Sequence, residues 1–179
     1  MRERAALATL LLLCVLCGAE AAELGSPWRP ALGESAGPLT IAARDGTVLP
    51  DGTDLPPGRG DVATGRALYA QHCLACHGPE GRGGPNGDLA GGLGTLATET
   101  PVKTVNSYWP YATTVFDYVR RAMPYPEPGS LADEEVYALV AYVLSLDGIV
   151  PEDAVLDAER LPAVVMPNRD GFVEAWPPR

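Results

Sequence analysis

Lysine is almost missing from this sequence: Lys103 is the only one among 179 residues. With 13 basic residues set against 23 acidic ones, the formal net charge is −10. Such a chain lacks the basic patch that phosphates require, so nucleic acid is excluded as a partner. Histidine is as scarce, with His72 and His77 the only two. No cysteine follows Cys76, so a zinc site built on Cys73 and Cys76 would run out of ligands. No apolar run reaches the ~20 residues that cross a bilayer comfortably; Ala5 to Cys17 falls short.

That short run has the layout of an export signal. Arg2 and Arg4 form a positive start, Ala5 to Cys17 the apolar stretch, and Ala19-Glu20-Ala21 a small-residue cleavage site. Residues 1–22 are therefore expected to be a signal peptide cut after Ala21 or Ala22. Leu13 and Leu16 stand before the two early cysteines, where a lipoprotein signal would need small residues, so lipidation is not expected. Cleavage removes two arginines and two glutamates and leaves the charge at −10. It also removes Cys14 and Cys17, so no cysteine is left for a structural disulfide. The expected product is periplasmic, with no membrane span.

What the chain does have is Cys73-Leu74-Ala75-Cys76-His77, the C-x-x-C-H attachment signature of a c-type haem. Two thiols one helical turn apart can add to the two vinyl groups of one haem. The histidine after the second thiol can then coordinate the iron axially. A dithiol redox pair would not need that histidine. The expected cofactor is one covalently attached haem c, held by Cys73, Cys76 and His77.

Around the motif the chain reads as helices joined by long loops. Residues 23–60 are rich in turn formers and form an N-terminal extension, with Leu39–Ile41 and Thr47–Leu49 a possible small hairpin about Asp45-Gly46. Asp61 is placed to cap a helix from about Val62 to Cys76. Gly65 inside it costs about 1 kcal/mol relative to Ala, which close approach of another helix would explain. Gly78 to Gly94 is a glycine-rich loop without a phosphate-loop lysine. Following the histidine, it should fold around that ring, with a carbonyl of Pro85 or a near neighbour accepting from His77 Nδ1. Tyr108, Trp109 and Tyr111 form an aromatic cluster able to pack on haem or in the core, and Lys103 is a candidate partner for a haem propionate. Apolar residues recur at helical period over Ala112–Ala122. A proline-stiffened loop follows, then a helix from about Leu131, with Ser130 its expected cap and Asp133 completing a partial capping box. Gly148 and Pro151 end that helix, Asp153–Arg160 is expected to add a short one, and a proline-rich tail closes the chain.

An iron held only by His77 would be open and reactive, whereas electron carriers close the sixth position, often with a thioether. Met123, at a helix end before Pro124, is the expected sixth ligand; Met166 is the alternative. His72 precedes the proximal cysteine and would have to cross the porphyrin.

Gly65-x-x-x-Tyr69, the Cys73–His77 motif, Met123-Pro124 and Leu139-x-x-Tyr142 together resemble a class I cytochrome c over about residues 61–147. The resemblance implies an all-α class I cytochrome c fold wrapped around one covalent haem, with irregular extensions at 23–60 and 148–179. It gives Gly65 and Tyr142 a role at the crossing of the first and last helices. A narrower likeness lies in residues 49–58, 102–114, 117–124 and 166–172. These blocks are similar to the cytochrome subunit of sulfite and sulfane dehydrogenases (SoxD type). That type often carries two haem motifs, and this chain carries one. The resemblance implies a subunit that is not catalytic alone and takes single electrons from a molybdopterin oxidoreductase subunit during sulfur-compound oxidation. A downstream cytochrome or oxidase would receive them. Two other functions compete: a general soluble carrier to a terminal oxidase, and a haem enzyme or sensor with an open sixth site.

Overall fold

The computed structural model describes residues 33–42, 44–173 and 175–176. The expected signal peptide lies outside them. The chain divides into two units, Met1–Ala42 and Ala43–Arg179. In the first, Pro38–Ala42 forms one helical turn, α1, with the Thr40 and Ile41 amides donating to Gly37 O. The expected hairpin is therefore not formed. Pro38, with its fixed φ, starts a helix rather than a strand. Val48, in the second unit, has no strand partner either; its N–H donates to Asp117 Oδ1 at 3.0 Å.

The second unit is built around one buried helix. A short strand, β1 (Arg59–Asp61), leads into α2 (Val62–His72). Asp61 caps α2, its carboxylate accepting from Thr64 N–H at 2.7 Å, and this bond holds the carboxyl below its ordinary range. The helix stops at His72, short of the expected Cys76. Cys73 leaves helical geometry at φ −121°, and α3 (Leu74–His77) restarts the turn. After the glycine-rich loop come α4 (Val105–Tyr108), α5 (Ala112–Ala122) and α6 (Asp133–Ser145). Ser130 does not cap α6. Ala132 occupies that position, and Glu135 reaches back to accept from its N–H at 2.8 Å, supplying half of a capping box.

Every residue of α6 from Val136 to Leu144 is buried, so neighbours must cover it on all sides. On one side α2 crosses at Gly65, where Tyr69 and Tyr142 pack with ring centroids 5.2 Å apart. On another, Phe116 of α5 meets Tyr137 at 4.5 Å. A third side is closed by β1 and a strand that sequence periodicity did not show, β2 (Val155–Asp157). The two pair antiparallel, Gly60 opposite Leu156. A β-carbon on Gly60 would lie 2.2 Å from the Ala138 nitrogen, so glycine is what lets the ribbon rest on α6. The helix expected over Asp153–Arg160 is thus replaced by β2 and a turn. Asp157 makes the turn, its carboxylate accepting from the Glu159 and Arg160 amides, local bonds that compete with helix.

Both flanks of the 61–147 segment contribute to the same core. Val48 precedes it; Val150, Leu156, Leu161 and Met166 follow it. Asn168 ties the tail down by donating to Tyr108 O at 2.7 Å. Among the described residues, no helix is long and apolar enough to cross a membrane.

Candidate haem site

The C-x-x-C-H residues sit where α2 breaks and α3 begins. The Cys76 and His77 amides both donate to Cys73 O, at 3.1 and 2.9 Å, which fixes the three side chains on one tight turn. Both thiols are free and half-buried. Burial pushes the Cys73 thiol up to about 11, with the neighbouring Cys76 adding to the shift. Among the described residues, no three His, Cys, Asp or Glu gather into a metal cage.

The glycine-rich loop closes over His77. Gly78 has φ +75°, and a β-carbon there would meet Arg82 O at 2.0 Å; one on Gly84 would meet Cys76 O at 2.3 Å. Only bare backbone fits so close to the motif. The loop returns so that the Asn86 amide donates to Cys76 O at 3.0 Å. Next to it, Gly87 O lies 3.0 Å from His77 Nδ1. Gly87 lies two residues beyond Pro85, within the near-neighbour range expected for the acceptor. A carbonyl can only accept, so Nδ1 carries the proton and Nε2 is left with its lone pair for a metal. Tyr69 adds a brace that sequence reasoning missed, donating to Gly78 O at 2.8 Å.

Met123 follows α5 in extended geometry and is half-buried, as is Pro124. Met166 differs: it is 1% exposed, inside the core with Leu161 and Val62. The aromatic cluster divides its contacts. Trp109 packs edge-on to Tyr118 at 5.5 Å, and Tyr108 packs edge-on to Phe172 at 5.3 Å. Lys103 Nζ stands 4.9 Å over the Tyr108 ring, and the Arg169 guanidinium stands 4.6 Å over Tyr111. Lys103 thus has a π-face as neighbour.

These residues fit a covalent haem. Two unpaired thiols adjoin an imidazole whose distal nitrogen is free. Leu68, Leu89, Trp109, Val119 and Leu131 pack on the core yet stay only partly covered, as the walls of a crevice for a flat apolar ring would.

A sequence model described as "Cytochrome c" matches residues 62–147. The crystal structure of the sulfane dehydrogenase SoxCD from Paracoccus pantotrophus contains a chain 46% identical to this one, with a TM-score of 0.72. The match covers 81% of this chain and 72% of that one. This chain belongs to the cytochrome c family. The cytochrome carries covalently bound haem c, and its single C-x-x-C-H motif accounts for one haem. Its likeness to the SoxCD chain is wider than residues 62–147 and takes in part of the flanks that share its core. It is also 30% identical over 95 residues to a thiosulfate dehydrogenase from Stutzerimonas stutzeri (strain A1501). That match covers 50% of this chain and 29% of the relative, so the matched part is less than a third of that enzyme's length.

Proposed function

We propose that this cytochrome is an exported electron-transfer subunit that accepts single electrons from a molybdopterin subunit oxidising a sulfur compound, sulfite or sulfane sulfur. The observation that carries this reading is the 46% identity over 81% of the chain to a component of a sulfane dehydrogenase. The thiosulfate dehydrogenase match points to the same sulfur chemistry. In this reading the chain itself is not catalytic, and it passes its electrons to a downstream cytochrome or oxidase. Residues 1–22 are the signal peptide, 61–147 the haem domain, and 23–60 and 148–179 the extensions.

Cys73 and Cys76 hold the haem as thioethers. His77, through Nε2, and Met123, through Sδ, would hold its iron; Met166, sealed in the core, would not. Bound haem supplies one reversible one-electron couple. The chain's part is to set that couple and keep it closed. Gly87 O fixes the His77 tautomer, and a thioether from Met123 would favour the reduced form of a bound haem. With Met123 as a ligand the iron would have no open position, and this is what separates the carrier reading from an enzyme or sensor.

The deciding experiment is co-expression with a molybdopterin sulfur-compound oxidase from the same organism, followed by addition of sulfite or protein-bound sulfane sulfur. Rapid haem reduction is expected. A haem that stays oxidised while the molybdenum centre turns over would remove the sulfur assignment and leave a general carrier.

A further inference from the structure

We propose that Asp147, just beyond α6, is a positioning residue for His77, setting the reduction potential through the loop that carries Gly87. The proposal rests on the reading of His77 as the proximal ligand. The loop needs an external frame. Its residues Gly83, Gly87 and Gly91 all lie at positive φ, where torsional preference holds glycine weakly, so its shape leans on hydrogen bonds.

Asp147 supplies that frame at both ends of the segment. Its Oδ1 accepts from the Arg82 guanidinium at 2.6 Å, and its Oδ2 accepts from the Gly91 amide at 2.6 Å. Gly87 lies between those two anchors. Inside the loop, Gly83 N–H donates to Asp88 Oδ1 at 2.7 Å and Leu89 N–H to Gly81 O at 2.8 Å. The carboxylate is itself held from below. Asn106 Nδ2 donates to Asp147 Oδ2 at 2.8 Å and to Val143 O at 2.9 Å. Fully buried, Asn106 has no partner for its own Oδ1. The fold thus tolerates an unsatisfied acceptor, normally costly, while the amide's donors serve Asp147 and α6. The side chain of Asp147 is 7% exposed, so water does not readily replace its part-buried bonds to Gly91 and Asn106.

The consequence runs through one helix. Through Ala138, α6 positions α2 and hence Cys73 to His77. Beyond its end, Asp147 positions Gly87. The imidazole is therefore gripped between two parts registered on the same element. A firm Nδ1–H bond to Gly87 raises the donor strength of Nε2 and favours ferric iron. Releasing the loop weakens that bond and raises the potential.

The test uses the holoprotein and two variants of opposite charge change, Asp147→Asn and Arg82→Gln. Loop release predicts that both raise the potential in a redox titration. Simple Coulomb action predicts opposite signs, because one variant loses a negative charge and the other a positive one. In the ferrous protein, solvent exchange of His77 Nδ1–H should rise tenfold or more in Asp147→Asn. Asp157→Asn breaks another Asp–Arg pair, outside this loop, and should leave both readouts unmoved. Potentials moving in opposite directions with unchanged exchange would overturn the proposal. If Asp147→Asn yields no holoprotein, Arg82→Gln decides: its side chain is half exposed, and a potential that falls or stays put overturns the idea. Failure of the ligand reading would be seen separately, in wild type, as absence of ring-current-shifted His77 signals.

Discussion

Gly65 and Ala138 meet where α2 crosses α6, and no side chain fits between them: a β-carbon on Gly65 would stand 1.9 Å from the Ala138 carbonyl oxygen and 2.8 Å from Tyr142 Cβ. The obstacle is mainly backbone, so it cannot rotate away. Gly65→Ala gains about 1 kcal/mol of helix propensity. It must nonetheless push the two helices apart, and overpacking of this kind typically costs about 1–3 kcal/mol, occasionally more. With a backbone clash this close the cost falls toward the upper end of that range, so we expect a net loss of roughly 1–2 kcal/mol, read from the denaturant midpoint of the holoprotein. An unchanged midpoint would mean that the crossing is looser than its geometry.

Much of this arrangement was legible in the sequence because its signals are local. Asp61 before an apolar run reads as a cap, Gly65 inside a helix asks for a reason, and α5 falls on Ala112–Ala122 as its periodicity predicts. Cys73, Cys76 and His77 declare their chemistry by spacing alone. Some features escaped because they depend on partners distant in sequence. Val155–Asp157 is too short to show strand alternation and exists as a strand because Arg59–Asp61 lies beside it. Pairing of Asp147 with Arg82 joins residues 65 apart and leaves no trace in either neighbourhood. Gly87 could be narrowed to a loop, but not named, because any carbonyl in the loop has the same chemistry.

The two downstream methionines should separate by property. Replacing Cys73 and Cys76 together by Ala should abolish covalent haem, since the other two cysteines, Cys14 and Cys17, stand apart from any C-x-x-C-H motif. With haem in place, Met123→Ala should remove the weak near-infrared sulfur-to-iron band of the ferric protein while the fold survives. Met166→Ala should leave the band and cost about 2–5 kcal/mol, the range for emptying a buried methionine site. The reverse result would assign the ligand to Met166.

Alkaline pH should unfold the protein through two tyrosines. Burial pushes the Tyr69 and Tyr137 phenols up to about 12. Both donate through their hydroxyls, Tyr69 to Gly78 O and Tyr137 to Pro56 O, which a phenolate cannot do. Folded-state values lie above the unfolded value of 10, so the stabilising contribution is complete below pH 10 and is lost as pH rises toward 12. The denaturant midpoint should fall over that window, and Tyr69→Phe should flatten the fall. An equally steep decline in Tyr69→Phe would place the alkaline sensitivity elsewhere.

Partner docking should depend on the tail more than on charge. A net charge of −10 would steer the cytochrome to a basic patch if its acids clustered, and such an encounter would weaken as salt rises. The tail presents a different surface: Val165 is 75% exposed, Val173 89% and Trp176 83%. Large apolar side chains left this open are the usual material of a lasting interface. Phe172 reaches back to Tyr108, so the tail is also joined to the aromatic cluster. Co-elution with the molybdopterin subunit should therefore persist at high salt. Val173→Asp and Trp176→Asp alter side chains that make no core contact. Together they should leave covalent haem and stability intact, abolish co-elution at high salt, and slow haem reduction by sulfite at least tenfold at equal concentrations. Complex formation that dissolves in salt and ignores both substitutions would show a charged, transient encounter, and the cytochrome would then be a soluble acceptor rather than a subunit.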